Sequence, residues 1–382
     1  PRLLWVKNHM PEVYEKTATL GMFNDWLIYK LTGKLAVEPS NASTTGIMDL
    51  QSRDWFPEIA EKCGLRSDIF PPVVECGTNF AVVSAKGAAD TGLAEGTPVV
   101  VGGGDCQLGT IGVGACSEGQ AAVFGGSFWQ YEFNTANGAT DPQCRVRVNC
   151  HAVPGLWQYE ALAFKPGMVM RWFRDGFCQY EVAEAARTGR DPYDLMNEQA
   201  EKIPAGSYGM LCCFSDVMNF INWKHASPTF TNFHLEPEKF NRYTFYRAIL
   251  ENTALIVRGH IELVKEATGH EPDELIFAGG AAKSPLWCQI VADVTGKPVK
   301  VPVVKEATAL GAAILAGYGV GLYPSIEEGV RQTVKWDRRF EPDMDNRAVY
   351  DELYKNWLKV YPKQLALCDE KLTKNMWLAP GL

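Results

Sequence analysis

A chain of 382 residues, 46% hydrophobic and 21% charged, has the balance of a globular protein and the length for two domains with a sizeable core. Its formal net charge of −8 and the lack of a long basic run argue against a nucleic-acid partner. No apolar stretch reaches bilayer-spanning length and no signal-peptide pattern opens the chain, so a cytoplasmic location with no membrane contact is expected.

The first residues, PRLLWVKNHMPEVYEK, fall inside a helical pattern and read as the continuation of a longer protein. Over the first hundred residues the pattern predicts two amphipathic helices, a polar loop (VEPSNASTTG), a short helix near PEIAEKCG and a strand of valines. That strand opens VVVGGGDCQLGTIGVG, residues 99–114. It reads as buried, stops at three glycines, delivers Asp105 and restarts as a glycine-rich helix. Beyond Glu118 the segments GQAAVFGGSFWQYEF, CRVRVNCHAV and LWQYEALAF carry the β-branched and aromatic residues of strands. Helices follow near GMVMRWFRDGF and DPYDLMNEQAEKI, then strands in YGMLCCF and PTFTNFHL. A long helix runs from KFNRYTFY to Gly269. ELIFAGG is a strand, SPLWCQIVADVTG a helix and KPVKVPV a strand. EATALGAAILAGYGVG is a small-residue helix that must pack closely on a neighbour, its GYGVG end lying under a strand. The tail, NRAVYDELYKNWLKVYPKQLALCDEKL, is one more amphipathic helix. This alternation describes an α/β protein with mixed sheets. The change of texture after Asp105 puts a boundary there, dividing the chain into 1–108 and 109–382 with Asp105 at the cleft between domains.

The chemistry is carried by three turns. VFGGSF (123–128) and FAGGAAKSPLW (277–287) are strands ending in paired glycines, whose consecutive N–H groups can cradle anionic oxygens. The second also opens a helix, whose N-terminus favours phosphate. Between them in function stands Asp105, either a general base that accepts a hydroxyl proton or a cap for the helix that follows. No GxxxxGK[ST], GxSxG or dinucleotide fingerprint is present. Eleven cysteines without CxxC spacing and six histidines without an HExxH pair predict reduced thiols and no metal site.

Most of the chain, from LLWVKNHMPEVYEK to FEPD, resembles the FGGY family of carbohydrate kinases. The resemblance implies an actin/hexokinase-like (ribonuclease H-like) two-domain α/β fold, ATP with Mg²⁺ as cofactors, and Asp105 as the catalytic base. It places Gly125, Gly126 and Ser127 at the nucleotide phosphates and Gly279, Gly280, Ala281 and Ser284 at the nucleoside. Relatives usually carry Asn or Gln where this chain has Cys106, and many have threonine where it has Gly126, so Ser127 is expected to supply the hydroxyl. Together with GGSFWQ, FSDVMNFINW and the ending WLAPGL, these departures imply a specialised acceptor bound at Asp105 and Cys106. That acceptor is a linear five-carbon dihydroxy-dione phosphorylated at its terminal hydroxyl, and the phosphocarrier protein HPr is an implied partner. Another pentulose or polyol, or a non-catalytic nucleotide-binding module, is the alternative. The family's opening DxGTxxxR turn is absent from this sequence, so the first domain is expected to be incomplete here, short by roughly a hundred or more residues, a domain's worth.

Overall fold

The computed structural model describes residues 1–221 and 223–379. Seven strands, labelled β1 to β7 in chain order, form the main sheet: Ala121–Gly125, Trp129–Thr135, Arg147–Cys150, Trp157–Ala163, Leu275–Ala278, Val299–Pro302 and Trp336–Phe340. Their spatial order is β7-β6-β5-β1-β2-β4-β3. Strands β1, β2, β4 and β3 are antiparallel neighbours in that order, β4 lying between β2 and β3. β5 runs parallel to β1, β6 parallel to β5, and β7 closes the edge antiparallel to β6. The mixed sheet expected from the alternating pattern is therefore present.

Period-two alternation assigns the two faces. Ala121, Val123, Leu275 and Phe277 point into the main core with Trp129, Tyr131 and Phe133. Helices Arg242–Thr268, Pro285–Thr295 and Met344–Asp369 contribute to that core. Ala122, Ile276 and Ala278 point to the other side, where Val113 and Ala307 cover them. The long helix is capped by Asn241, whose side chain accepts from the Tyr243 N–H, and ends at Gly269 with φ +78°. Buried Glu251 ties it to its neighbours, accepting from Arg247 Nε at 2.9 Å, Tyr350 Oη at 2.9 Å and Ser207 Oγ at 2.7 Å.

The small-residue helix Ala307–Gly319 packs as its composition demands, against the helix Asp105–Val113. A Cβ on Gly311 would lie 1.8 Å from the Leu108 carbonyl oxygen, and one on Gly112 would lie 1.8 Å from that of Ala307. At its far end a Cβ on Gly319 would stand 2.6 Å from the Gly77 oxygen and from Val100. The division expected after residue 108 runs through the Asp105–Val113 helix, which is continuous.

Three expectations are corrected. The valine strand is not fully buried: among the described residues Pro98–Val100 pairs only with Asn79–Val82, in a two-stranded ribbon. Val99 and Val100 are consequently half-buried, and full burial begins at Val101. The opening helical pattern is broken at Met10 into Arg2–His9 and Pro11–Glu15, because Pro11 excludes helical backbone before it. The polar loop contains a helical turn, Pro39–Ala42, followed by a 3₁₀ turn, Ser43–Thr45. Every one of the eleven cysteines is free, and among the described residues no helix is long and apolar enough to cross a membrane.

Candidate active site

The two paired-glycine turns close the C-terminal ends of β1 and β5, adjacent parallel strands with Phe124 opposite Ala278. Ligands of open α/β sheets bind at such strand ends. The turns touch: a Cβ on Gly279, whose φ is +93°, would lie 2.9 Å from the Gly125 oxygen, and one on Gly125 would lie 2.6 Å from the Ala281 Cβ. Only backbone fits there. Gly126 and Gly280 instead border open space, their nearest contacts being Phe128 O at 3.4 Å and Gly125 O at 3.9 Å.

Within the first turn the Gly126 N–H is already engaged, donating to Phe124 O and Phe128 O at 3.2 Å each. The run of free amides expected for this turn is thereby narrowed to Ser127, which is exposed and makes no hydrogen bond among the described residues. In the second turn Ser284 caps the helix Pro285–Thr295, its Oγ accepting from the Trp287 N–H at 3.2 Å. Gly125, Gly126, Ser127, Gly280, Ala281 and Ser284 line one cavity of about 560 Å³. The sequence pattern did not flag its opposite wall, which includes Tyr193, Asn197 and Tyr246, with Tyr246 Oη donating to Asn197 Oδ1 at 2.9 Å. Arg171 and Lys283 also line it, both exposed and without an ion pair among the described residues. Lys283 follows the second glycine turn and Arg171 lies on the helix Pro166–Phe177, while Asp191 and Asp194 line the same cavity; an anionic ligand would be met by the two cations at the glycine turns' side.

Asp105 is the first residue of its helix, and the cap position belongs to Gly104. Its exposed carboxylate has no hydrogen bond or ion pair among the described residues, so it is not spent on capping. Its backbone is held firmly. Thr308 Oγ1 donates to the Asp105 carbonyl at 3.1 Å, and the Gly104 N–H donates to Ser40 Oγ at 2.8 Å. Ser40 Oγ in turn donates to buried Glu38, which also accepts from Asn41 Nδ2 at 2.6 Å and from Asn24 Nδ2 at 3.2 Å. Glu38 was missed because its segment reads as a polar loop; the signal was an acid followed by proline and two small polar residues, the start of a helix. Asp105 and Cys106 line a second cavity, about 250 Å³, with Gly279, Phe124 and Gln130. The two cavities are neighbours across the end of β1, and Gly279 and Gly280 stand side by side between them.

Beneath Cys106 the sheet is polar yet buried. Gln130, Glu132 and Asn134 of β2 face away from the main core, opposite Leu162, Glu160 and Gln158 of β4. Burial, then the neighbouring Glu160, pushes the Glu132 carboxyl well above the usual carboxylate range. Burial also raises Glu160, against the opposing pull of Arg147, whose Nη1 lies 2.8 Å away. His151, at the end of β3, is held neutral by burial and pushed down to about 3. Its Nε2 meets Thr110 Oγ1 at 2.8 Å.

Comparison with known proteins gives two family matches: the N-terminal domain of the FGGY family of carbohydrate kinases over residues 1–112, and its C-terminal domain over 135–320. The chain is 49% identical over all 382 residues to an autoinducer-2 kinase of Yersinia enterocolitica, spanning 72% of that protein. It is 50% identical to one of an Enterobacter species, over the same share. Among solved structures, the xylulose kinase of Rhodospirillum rubrum matches with a TM-score of 0.85 at 27% identity, over 96% of this chain and 72% of that one. Plasmodium falciparum glycerol kinase with ADP matches with a TM-score of 0.81 at 21% identity, over 94% and 71%. These likenesses bear out the actin/hexokinase-like kinase architecture. Of the segments that set the chain apart, FSDVMNFINW includes Asn222 and WLAPGL ends in Pro380, Gly381 and Leu382, all outside the described residues.

Proposed function

The chain belongs to the FGGY family of carbohydrate kinases, and from that membership we propose that it carries the base and one wall of the nucleotide site of a kinase for autoinducer-2. The reaction is ATP-dependent phosphorylation of the terminal hydroxyl of linear 4,5-dihydroxy-2,3-pentanedione. The observation that carries the reading is the Asp105 carboxylate, free among the described residues and lining a cavity with Cys106 beside the two glycine turns. The close identity to proteins described as autoinducer-2 kinases supports the acceptor.

The residues present fit a nucleotide. Gly126 and Gly280 leave space that a side chain would fill; among the described residues Ser127 offers an unpaired hydroxyl and Arg171 and Lys283 are unpaired cations on the same cavity, which Asp191 and Asp194 also line. When bound, ATP with Mg²⁺ supplies the transferable phosphoryl group with its charge partly neutralised. The chain's own part is to hold the phosphates at Ser127 and the nucleoside at Gly279, Gly280, Ala281 and Ser284. Asp105 then orients the acceptor hydroxyl and takes its proton at a carboxylate oxygen, with Cys106 beside the acceptor. We assign HPr as the protein partner on the resemblance alone, to be checked by co-purification with the phosphocarrier.

The test is acceptor-dependent ADP release by the gene product that carries this chain. The dihydroxy-dione should give a kcat/KM far above xylulose, ribulose or glycerol, because a lost site hydrogen bond costs ~10⁴-fold or more in discrimination. A better rate with xylulose would leave the family reading standing and remove the specialised acceptor. Asp105→Asn should lower kcat by ~10²–10⁴-fold with ATP affinity nearly unchanged. Near-normal turnover in that variant would remove Asp105 from the chemistry.

A further inference from the structure

We propose a second ligand site on this chain: a thiolate–dicarboxylate site for a Zn²⁺-class divalent cation, formed by Cys106, Glu132 and Glu160 beneath the Asp105 cavity. The ligand atoms of these three side chains all lie within 4.8 Å of one another. Glu132 and Glu160 are direct cross-strand partners on β2 and β4. Like charges in that position destabilise a sheet unless something sits between them. Glu132 is the decisive residue. It is fully buried, and among the described residues neither carboxylate oxygen has a hydrogen-bond partner. A buried carboxylate with both oxygens bare is costly, and a cation satisfies both.

The surroundings resemble a ligand shell that has been oriented. Gln130 Nε2 donates to Cys106 Sγ at 3.2 Å, and Arg147, Glu160's cross-strand partner on β3, holds it from the flank opposite Glu132 at 2.8 Å. A thiolate and two carboxylates carry three negative charges, which one divalent cation and Arg147 balance. Sulfur selects the Zn²⁺ class over Mg²⁺, which demands oxygen ligands, so this site is separate from any Mg²⁺ that accompanies a nucleotide. Cys106 also lines the 250 Å³ cavity, which gives the ion an entry path and leaves a fourth coordination position open. Spacing rules could not find it, because its members come from one helix and two strands rather than from a local motif.

The experiment titrates the chelator-treated protein with Zn²⁺ against a chromophoric competitor, and separately with Co²⁺. One equivalent of Zn²⁺ should bind, and Co²⁺ should produce a thiolate charge-transfer band. Cys106→Ser should abolish that band, and Glu132→Gln should weaken Zn²⁺ binding at least ~100-fold, since even supporting residues of metal sites cost 10–100-fold. Should Glu132→Gln fail to fold, Cys106→Ser, at a half-buried helix position, carries the test alone. Three results overturn the proposal: no stoichiometric Zn²⁺ uptake, uptake unchanged in both variants, or a Glu132→Gln protein more stable than its parent with no Zn²⁺ bound to either. The last would make Glu132 and Glu160 a pair that shares a proton.

Discussion

A side chain added at Gly280 would meet only the Gly125 oxygen, at 3.9 Å, whereas one added at Gly279 would press on the Gly125 backbone from a φ of +93°. Adjacent glycines thus fail for different reasons. Gly280→Val should leave the unfolding midpoint of the ligand-free protein unchanged and weaken ATP binding about tenfold or more, because the β-branched group fills space bordering the 560 Å³ cavity. Calorimetric titration with ATP checks this, and unaltered affinity would move the nucleoside elsewhere. Gly279→Val should lower the unfolding midpoint itself, since it forces a branched residue into left-handed backbone and parts the two turns.

Helix on helix, the contact between Asp105–Val113 and Ala307–Gly319 rests on carbonyl oxygens 1.8 Å from where side chains would be. Gly311→Ala should therefore cost about 1–3 kcal/mol or more in overpacking. It should also reduce turnover, because parting the helices strains the Thr308 hydrogen bond to the Asp105 carbonyl; denaturant midpoints and kcat measured together check both. This close packing was legible in EATALGAAILAGYGVG, as were most strands of the main sheet, because apolar β-branched and aromatic residues mark them. Strand β7 was not: WDRRF is an exposed edge whose charges look like a loop, which is how edges avoid pairing with other chains. The helix Gln179–Thr188 was likewise missed in a run of polar and small residues. In the site, the paired glycines and Asp105 announced themselves locally. Glu132 and Glu160 did not, because polar residues alternating along a strand read as a solvated face, and only the fold reveals that a helix covers them.

For the whole molecule, two sets of buried groups bear on stability in acid with opposite signs. His151 and His260 are pushed down to about 3 and His225 to about 4, each first by burial. Below pH 6.5 the unfolded chain takes up protons that these folded sites refuse, so their contribution is complete above 6.5 and is lost as pH falls toward 4 and 3. Burial raises Asp25 and Asp216 to about 6, which pulls the other way over part of the same range. A net profile conceals both, so a paired comparison is needed. Relative to His151→Gln, the parent's unfolding free energy should climb by about 1.4 kcal/mol per pH unit between pH 4 and 6, and run parallel to it above pH 7. Urea unfolding at four pH values checks the slope; parallel curves throughout would mean His151 titrates normally. Mechanically, the helix Ala307–Gly319 is a lever: at 1.5 Å per residue it is about 20 Å long, with one end bonded to the Asp105 carbonyl through Thr308 and the other packed against Val100. Tilting it by only ~3° about the Val100 end swings the Thr308 end by ~1 Å, and a displacement of that size is enough to cost about 10²-fold in rate. A push on the valine ribbon would therefore reach the backbone of Asp105, the proposed base, as torque through that helix.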